Sequence, residues 1–151
     1  MEAIRFEKFT LLIDGIHKCI SKIKFDTAPD LGVKSVHLFW VYKLMLHPNG
    51  LTAAEIAAVN KVDRSLVSRE IETLKKNGYV QTKDNGNKRS YNSRITLTES
   101  GLALAKRIKD EAIRIQEVVG ANISEDELAT FYVTLEKLYG NFDLLAAKER
   151  A

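Results

Sequence analysis

The fold is decided by residues 51–101, which read LTAAEIAAVNKVDRSLVSREIETLKKNGYVQTKDNGNKRSYNSRITLTESG. The stretch begins with a capping box, Thr52-Ala-Ala-Glu55, in which the hydroxyl accepts from a free backbone N–H and the carboxylate reaches back to the cap. This box predicts a short helix from Ala53 to about Val59. After a turn at residues 60–62, Asp63 is a favourable N-cap residue and predicts a second helix to about Lys76.

The second half of this stretch predicts a β-hairpin. Asn77-Gly78 supplies the left-handed residue that ends the second helix. Residues 79–83 and about 92–97 then have the composition of two strands, and Asp84 to Arg89 between them are turn-forming residues. Two short helices joined by a tight turn and followed by a hairpin are typical of a winged helix-turn-helix.

Two more helices are predicted before this stretch. From Glu2 to about Lys24, apolar residues recur at helical spacing. Ser35 is expected to cap a second helix that runs to about His47. That helix is apolar nearly all round, so we expect it to be covered on several sides, with Phe39 in the core.

Two long helices are also predicted after the hairpin. Thr98 caps the first, which runs to about Val119, and a second capping box, Ser124-Glu-Asp-Glu127, begins the last. The last helix carries an apolar seam of coiled-coil spacing from Leu128 to Leu145. The fold class is therefore mostly α with a small β-hairpin, in the order α-α-α-α-β-β-α-α. We expect a winged helix-turn-helix DNA-binding domain at 35–98 and dimerisation helices at 1–34 and 99–151.

Positive charge is concentrated in the helix-turn-helix and hairpin. The whole chain carries a formal charge of only +3. Between Asn60 and Arg94, however, nine residues are basic and four are acidic, so the remainder of the chain is slightly acidic. A basic segment on an acidic body indicates a local surface that binds a polyanion.

The predicted helix from Asp63 to Lys76 divides into two faces. An inward face is formed by Leu66, Val67, Ile71 and Leu74. The outward face carries the candidate DNA-binding residues Arg64, Ser65, Ser68, Arg69 and Thr73. Recognition helices present their N-terminal turns to base edges in the major groove, where an arginine can bind guanine through two hydrogen bonds. The pattern alone also fits a solvated amphipathic helix; the preceding capped helix and the basic hairpin favour DNA.

Four segments of the stretch, in this order, resemble the signature of the MarR family of transcriptional regulators: Leu51-Thr-Ala-Ala-Glu-Ile-Ala57, Asp63-Arg-Ser-Leu-Val-Ser-Arg69, Leu74-Lys-Lys-Asn-Gly-Tyr-Val80 and Leu97-Thr-Glu-Ser-Gly101. The resemblance implies a homodimer that places one recognition helix per protomer in the major groove of a pseudo-palindromic operator. It also implies a repressor whose DNA affinity is changed by a small-molecule effector or another signal.

Two departures from the family pattern affect the expected DNA contacts. Leu66 stands where the family often has a small hydroxyl residue, so a polar contact is lost or replaced by contact with a thymine methyl. In the wing, Asn87-Lys88-Arg89-Ser90 replaces the usual Asp-Arg-Arg triplet. We expect Arg89 to enter the minor groove with Lys88 beside it, without the aspartate that braces this arginine in the family.

Three other sets of residues are candidates for a signal or ligand. The family resemblance suggests an effector pocket at His37, Trp40 and Tyr42 for a small aromatic ligand, although an aromatic helix face is more often core. It also suggests Cys19 as a redox sensor, although a lone cysteine is more often a buried apolar residue. His17, Cys19, His37 and His47 have no chelating spacing, so we expect no metal and no cofactor.

The remaining classes are constrained by what the sequence lacks. It contains no nucleophile–base–acid set, no HExxH motif and no phosphate-binding glycine loop, so we expect no enzyme. A single cysteine, no signal-peptide layout and no apolar stretch of membrane-spanning length predict a cytoplasmic protein without a membrane partner. The alternative is a winged-helix module that binds another protein instead of an operator.

Overall fold

The structure is a computed structural model that describes residues 2–83 and 93–149, with side chains from Ile4 onward. Its elements are α1 (Glu2–Thr27), a 3₁₀ turn (Pro29–Leu31), α2 (Ser35–Leu46), α3 (Ala53–Asn60), α4 (Arg64–Lys76), β1 (Val80–Lys83), β2 (Arg94–Leu97), α5 (Glu99–Val119) and α6 (Glu125–Glu149). The predicted fold class and element order are confirmed.

The chain divides into two compact units, residues 1–112 and residues 113–151. The first unit has one apolar core to which α2, α3, α4, the hairpin and α5 all contribute. Its most buried side chains include Trp40, Val41, Leu44, Ile56, Val67, Leu74, Leu104 and Ala105. The second unit contains the end of α5 and α6, which begins after the predicted capping box: the Ser124 N–H donates to the Glu127 carboxylate at 2.8 Å.

The predicted start and stop signals of the central helices are formed as hydrogen bonds. In the capping box of α3, the Glu55 N–H donates to Thr52 Oγ1 at 3.1 Å and the Thr52 N–H donates to the Glu55 carboxylate at 2.8 Å. At the end of α4, Gly78 has a φ of 77° and the Tyr79 N–H donates to the Leu74 carbonyl at 3.0 Å. At the start of α5, the Gly101 N–H donates to Thr98 Oγ1 at 3.0 Å.

Three local predictions differ from the structure. Ser35 is the first residue of α2 and not its cap; Lys34 is the cap, and its N–H donates to His37 Nδ1 at 3.4 Å. Asp63 has the cap position of α4, but its side chain makes no capping hydrogen bond. Phe39 was expected in the core and is 41% exposed, because the face of α2 that carries Phe39, Lys43 and Leu46 is not fully covered within the chain. The Lys43 ammonium lies 5.3 Å from the Phe39 ring centroid, a cation–π distance.

The hairpin is fixed to the beginning of α3 as well as to itself. Strands β1 and β2 pair antiparallel, from Val80 opposite Leu97 to Lys83 opposite Arg94. Leu51 adds a bridge to Ile95, with N–H to carbonyl distances of 3.1 and 2.8 Å. The Arg94 guanidinium donates to the Gly50 carbonyl at 2.8 Å and lies 3.6 Å from the Glu55 carboxylate. The base of the wing is therefore held in a defined position against the helix-turn-helix.

Candidate nucleic-acid interface

The turn between α3 and α4 sets the orientation of α4 relative to α3. Asn60 ends α3 and its side-chain amide donates to the Ile56 carbonyl at 2.8 Å. Lys61 then adopts a left-handed conformation with φ 52° and ψ 44°. The Val62 N–H returns to the Ala57 carbonyl at 3.1 Å, and the Val62 side chain packs against the core. This tight turn is the helix-turn-helix geometry that the sequence predicted.

Helix α4 separates a polar outer face from a buried inner face. Ser65, Ser68 and Arg69 are exposed, whereas Arg64 and Thr73 are half-buried. The structure thus places these five predicted residues along the outward side of one helix. The Thr73 hydroxyl lies 3.4 Å from the Arg69 carbonyl and so faces its own backbone. Exposed arginine and serine side chains in the first two turns have the chemistry to bind phosphates and base edges.

The inner face of α4 is apolar except at one position. Val67, Ile71 and Leu74 are buried as predicted, and Leu66 is half-buried against the core. Glu70, however, is only 7% exposed. Its two carboxylate oxygens lie 3.0 and 3.1 Å from Lys34 Nζ, and one of them lies 2.8 Å from His37 Nε2. We call Lys34, His37 and Glu70 the Glu70 cluster.

The hydrogen bonds of the Glu70 cluster define the protonation states of its members. His37 accepts from the Lys34 N–H at Nδ1, so its proton is on Nε2 and is donated to Glu70. Burial lowers the pKa of the His37 imidazole, and the bond to Glu70 opposes this only in part. Burial also acts to raise the pKa of the Glu70 carboxyl, but hydrogen bonds from Lys34 and His37 outweigh it, and that pKa is lowered. A neutral imidazole and an ionised carboxylate are therefore the favoured pair.

The wing contributes cations at its base. Lys83 and Arg94 are exposed at the end of β1 and the beginning of β2, directly opposite each other. The two residues predicted to enter the minor groove, Lys88 and Arg89, lie outside the described residues. Their contact with DNA stays a prediction.

The candidate signal residues have different environments. His37 and Trp40 are 1% and 2% exposed and have core positions, with ring centroids 6.3 Å apart, whereas Tyr42 is half-buried. A ligand role for these three residues stays a prediction.

The more ordinary interpretation of Cys19, as a small apolar residue, required a buried side chain. Cys19 is instead exposed on α1. In the described part of the chain, no group of three or more His, Cys, Asp or Glu side chains could hold a metal ion. No helix there is both long and apolar enough for a bilayer.

Sequence reasoning missed the structural roles of Glu70, Lys34 and Arg94. Glu70 was counted only as an acid within a basic segment. Its position three residues after Val67 and four before Leu74 places it on the inward face of the helix, and that spacing could have identified it. Its partners lie more than thirty residues earlier in the chain, and no local pattern identifies them.

Comparisons with known proteins agree with this geometry. The sequence model of the MarR family matches residues 43–90. A MarR family transcriptional regulator from Listeria monocytogenes, crystallised with a 26-mer DNA, is 25% identical with a TM-score of 0.78, and the match covers 91% of each chain. Two more distant structures share the fold. MepR of S. aureus in a DNA complex is 17% identical with a TM-score of 0.78 and covers 89% of this chain and 96% of its own.

The second of these more distant structures is a MarR regulator from Methanosarcina mazei. It is 19% identical with a TM-score of 0.78, and the match covers 92% of this chain and 99% of its own. No curated protein sequence matched the chain significantly.

Proposed function

This chain belongs to the MarR family of winged helix-turn-helix transcriptional regulators, and from that premise we propose that it is a homodimeric repressor of a pseudo-palindromic operator. The observation that carries the proposal is the outward face of α4, where Ser65, Ser68 and Arg69 are exposed in the first two turns. Val67 and Leu74 anchor the opposite side of the helix in the core.

Each group on this face has a separate task in the proposal. Arg64 and Arg69 bind guanine edges or phosphates, and Ser65 and Ser68 donate to or accept from neighbouring bases. The positive end of the α4 dipole favours a phosphate near Arg64. Lys88 and Arg89 in the wing contact the minor groove, and Lys83 and Arg94 add positive charge at its base.

Apolar surface that a single chain leaves open supports the proposal of a dimer. On α1, Leu12, Ile16 and Ile20 recur every four residues and are half exposed. On α6, large apolar side chains such as Phe131, Leu138 and Leu145 are also exposed. We propose that a second copy of the chain covers both surfaces and that residues 1–34 and 99–151 form the dimerisation helices. Two recognition helices about one DNA turn apart, about 34 Å, then require a two-fold repeated site.

The proposed repressor responds to a signal that changes the spacing of its two recognition helices. A small aromatic ligand bound against α2, near Tyr42, is one such signal, and oxidation of the exposed Cys19 is another. Effector and DNA binding would weaken each other by the same factor, because thermodynamic linkage is reciprocal. In this proposal the protein acts in the cytoplasm, where it meets its operator.

Selection of bound duplexes from a random DNA pool, at two salt concentrations, tests the proposal. An enriched sequence with two-fold symmetry supports it. Enrichment of no sequence, together with affinity that falls steeply with salt, would show phosphate binding alone and would refute operator recognition. Absence of any DNA binding favours the second candidate, a winged-helix module that docks on protein. The exposed Arg69 and the basic wing argue against that candidate, since a protein-docking face tends to carry acidic or apolar residues there.

Alanine substitutions then assign the interface. We expect Arg64→Ala and Arg69→Ala each to cost about 1–3 kcal/mol of operator binding and to relax the base preference at one position. Lys8→Ala, which removes an exposed cation from α1, is the matched control and should leave both properties unchanged. Wild-type affinity and selectivity in an Arg64→Ala/Arg69→Ala double variant would contradict the assignment of α4 as the recognition helix.

A further inference from the structure

The Glu70 cluster joins the inner face of α4 to the beginning of α2. Glu70 lies in the middle of α4, immediately after Arg69, and both its oxygens are within 3.1 Å of a nitrogen of Lys34 or His37. The side chain of His37 is 1% exposed and that of Glu70 is 9% exposed. The DNA contacts of the proposed function include no member of this cluster.

A buried carboxylate is an uncommon way to attach a helix. Removing a carboxylate from water is costly, and a well-packed apolar pair of similar volume often stabilises a protein equally well. Hydrogen bonds differ from apolar contacts in their geometric demands, since they weaken steeply with distance and angle. Val67, Ile71 and Leu74 can therefore hold α4 against the core, whereas the Glu70 cluster fixes its rotation and its position along its axis.

We propose that Glu70 is a positioning residue for DNA recognition, which fixes α4 against α2 through His37 and Lys34 and so determines where Ser68 and Arg69 meet the bases. This inference rests on the proposed function. Arg69 is the neighbour of Glu70 in the same helical turn, so a rotation of α4 that breaks the Glu70–His37 bond displaces the Arg69 guanidinium by a comparable angle. Readout of base edges requires that displacement to be small, whereas contact with phosphates tolerates it.

The decisive variant replaces Glu70 and His37 together by leucine. The double change Glu70→Leu/His37→Leu keeps the site filled and leaves no buried polar partner behind, and Lys34 returns to solvent. We expect the urea midpoint to stay near that of the wild type. Affinity for the selected operator should fall about tenfold or more, while affinity for a scrambled duplex of equal length is retained. The protein should remain folded and lose selectivity.

Conservative variants separate positioning from simple packing. Glu70→Gln keeps an acceptor for the His37 Nε2–H, and His37→Gln keeps a donor that can reach Glu70. We expect either one to bind the operator within about threefold of the wild type. Glu70→Leu alone leaves His37 unpaired and should lose both stability and selectivity.

A pH profile supplies a readout that a purely structural role would not change. The ionisable groups that act on His37 in the described residues are Glu70 from α4 and Lys34 before α2. Protonation of His37 places a proton on Nδ1, which then opposes the Lys34 N–H and breaks that bond. Operator selectivity of the wild type should therefore fall only below pH 6.5, because burial lowers the pKa of His37 in the folded chain from its ordinary value of 6.5. The double leucine variant should show no such fall, and His47→Gln, which removes an exposed histidine, should retain it.

The outcomes distinguish this inference from the proposed function. A wild-type chain that selects no operator refutes the proposed function before any variant is compared. A folded Glu70→Leu/His37→Leu variant that keeps wild-type selectivity refutes the positioning role alone. Should that variant unfold, Lys34→Met removes only the partly exposed ammonium that donates to both Glu70 oxygens, and full operator selectivity in this variant would refute the proposal equally.

Discussion

Gly101 lies in the first turn of α5, where the helix passes close to Tyr79 and Leu97 of the hairpin region. A Cβ at this position would lie 1.9 Å from the Tyr79 carbonyl oxygen and 3.2 Å from a methyl of Leu97. Neither the backbone of Tyr79 nor that of the buried Gly101 can move freely, because the Thr98 N–H also donates to the Tyr79 carbonyl at 3.0 Å. We expect Gly101→Ala to lower the free energy of unfolding by about 1–3 kcal/mol or more, measured by urea denaturation.

A second glycine provides the matched control. Gly15 lies inside α1 and a Cβ there would meet no atom within 4 Å. Alanine loses less backbone entropy than glycine when a helix forms, so Gly15→Ala should raise stability by about 0.5–1 kcal/mol. Equal effects of the two substitutions would show that the close approach of Tyr79 to Gly101 does not limit that position.

The buried His37 and Glu70 make stability depend on pH in one direction. Burial lowers the pKa of His37 in the folded chain. As the pH falls through the ordinary value of 6.5, the unfolded chain therefore binds more protons than the folded chain, and stability is lost. The pKa of Glu70 is lowered against its burial by Lys34 and His37, so its contribution is present above 4.5 and is lost as pH falls further. Urea midpoints should decline from pH 7.5 to pH 4.5. His37→Gln should abolish the decline between pH 7.5 and 5.5, and a decline unchanged by His37→Gln would assign it to other groups.

At the scale of elements, α3 depends on its capping box. The Thr52 hydroxyl accepts from the Glu55 N–H, and this helix of eight residues has few other means to satisfy its first turn. We expect Thr52→Ala to lower the free energy of unfolding by about 1 kcal/mol in urea denaturation. Thr52→Ser retains the hydroxyl and should stay close to the wild type; an equal loss in both variants would mean that the methyl group matters, and not the cap.

Elements whose signals are local could be predicted from the sequence, since each signal acts within a few residues. Thr52 with Glu55, Thr98, and Gly78 with its left-handed backbone each mark a helix end by a bond to a near neighbour. The helical spacing of Val67, Ile71 and Leu74 likewise identifies the buried face of α4. The outward residues Ser65, Ser68 and Arg69 followed from that face, and the structure leaves all three exposed.

Contacts between distant segments could not be predicted in this way. Lys34, not Ser35, caps α2, and the fold brings His37 and Lys34 to Glu70 across more than thirty residues. Arg94 meets the Gly50 carbonyl across 44 residues. Phe39 has the composition of a core residue, and its exposure depends on which side of α2 the rest of the chain covers. Hydropathy describes a residue, whereas coverage is a property of the assembled molecule.

For the whole molecule, the apolar surface of α1 and of α6 is the strongest reason to expect a dimer. Leu12, Ile16 and Ile20 form one stripe of α1, and chains that remain monomeric rarely expose contiguous apolar surface of this kind. We expect light scattering at micromolar concentration to give twice the mass of the 17.0 kDa chain. Ile16→Glu/Leu138→Glu should yield monomers, and Lys18→Glu should remain dimeric. A wild-type monomer would contradict the proposed assembly.

The same variants test whether operator affinity arises from two linked reading helices. In a dimer, binding of one half-site holds the second helix near the other half-site at an effective concentration of about millimolar. The wild type should therefore bind the full operator about 10² times more tightly, or better, than a single half-site. The Ile16→Glu/Leu138→Glu monomer should bind the two duplexes almost equally, as measured by fluorescence anisotropy, and Lys18→Glu should keep the wild-type preference. Strong preference of the monomer for the full operator would place the source of selectivity within one protomer. Loss of binding to both duplexes would show that the fold of α4 requires the partner copy.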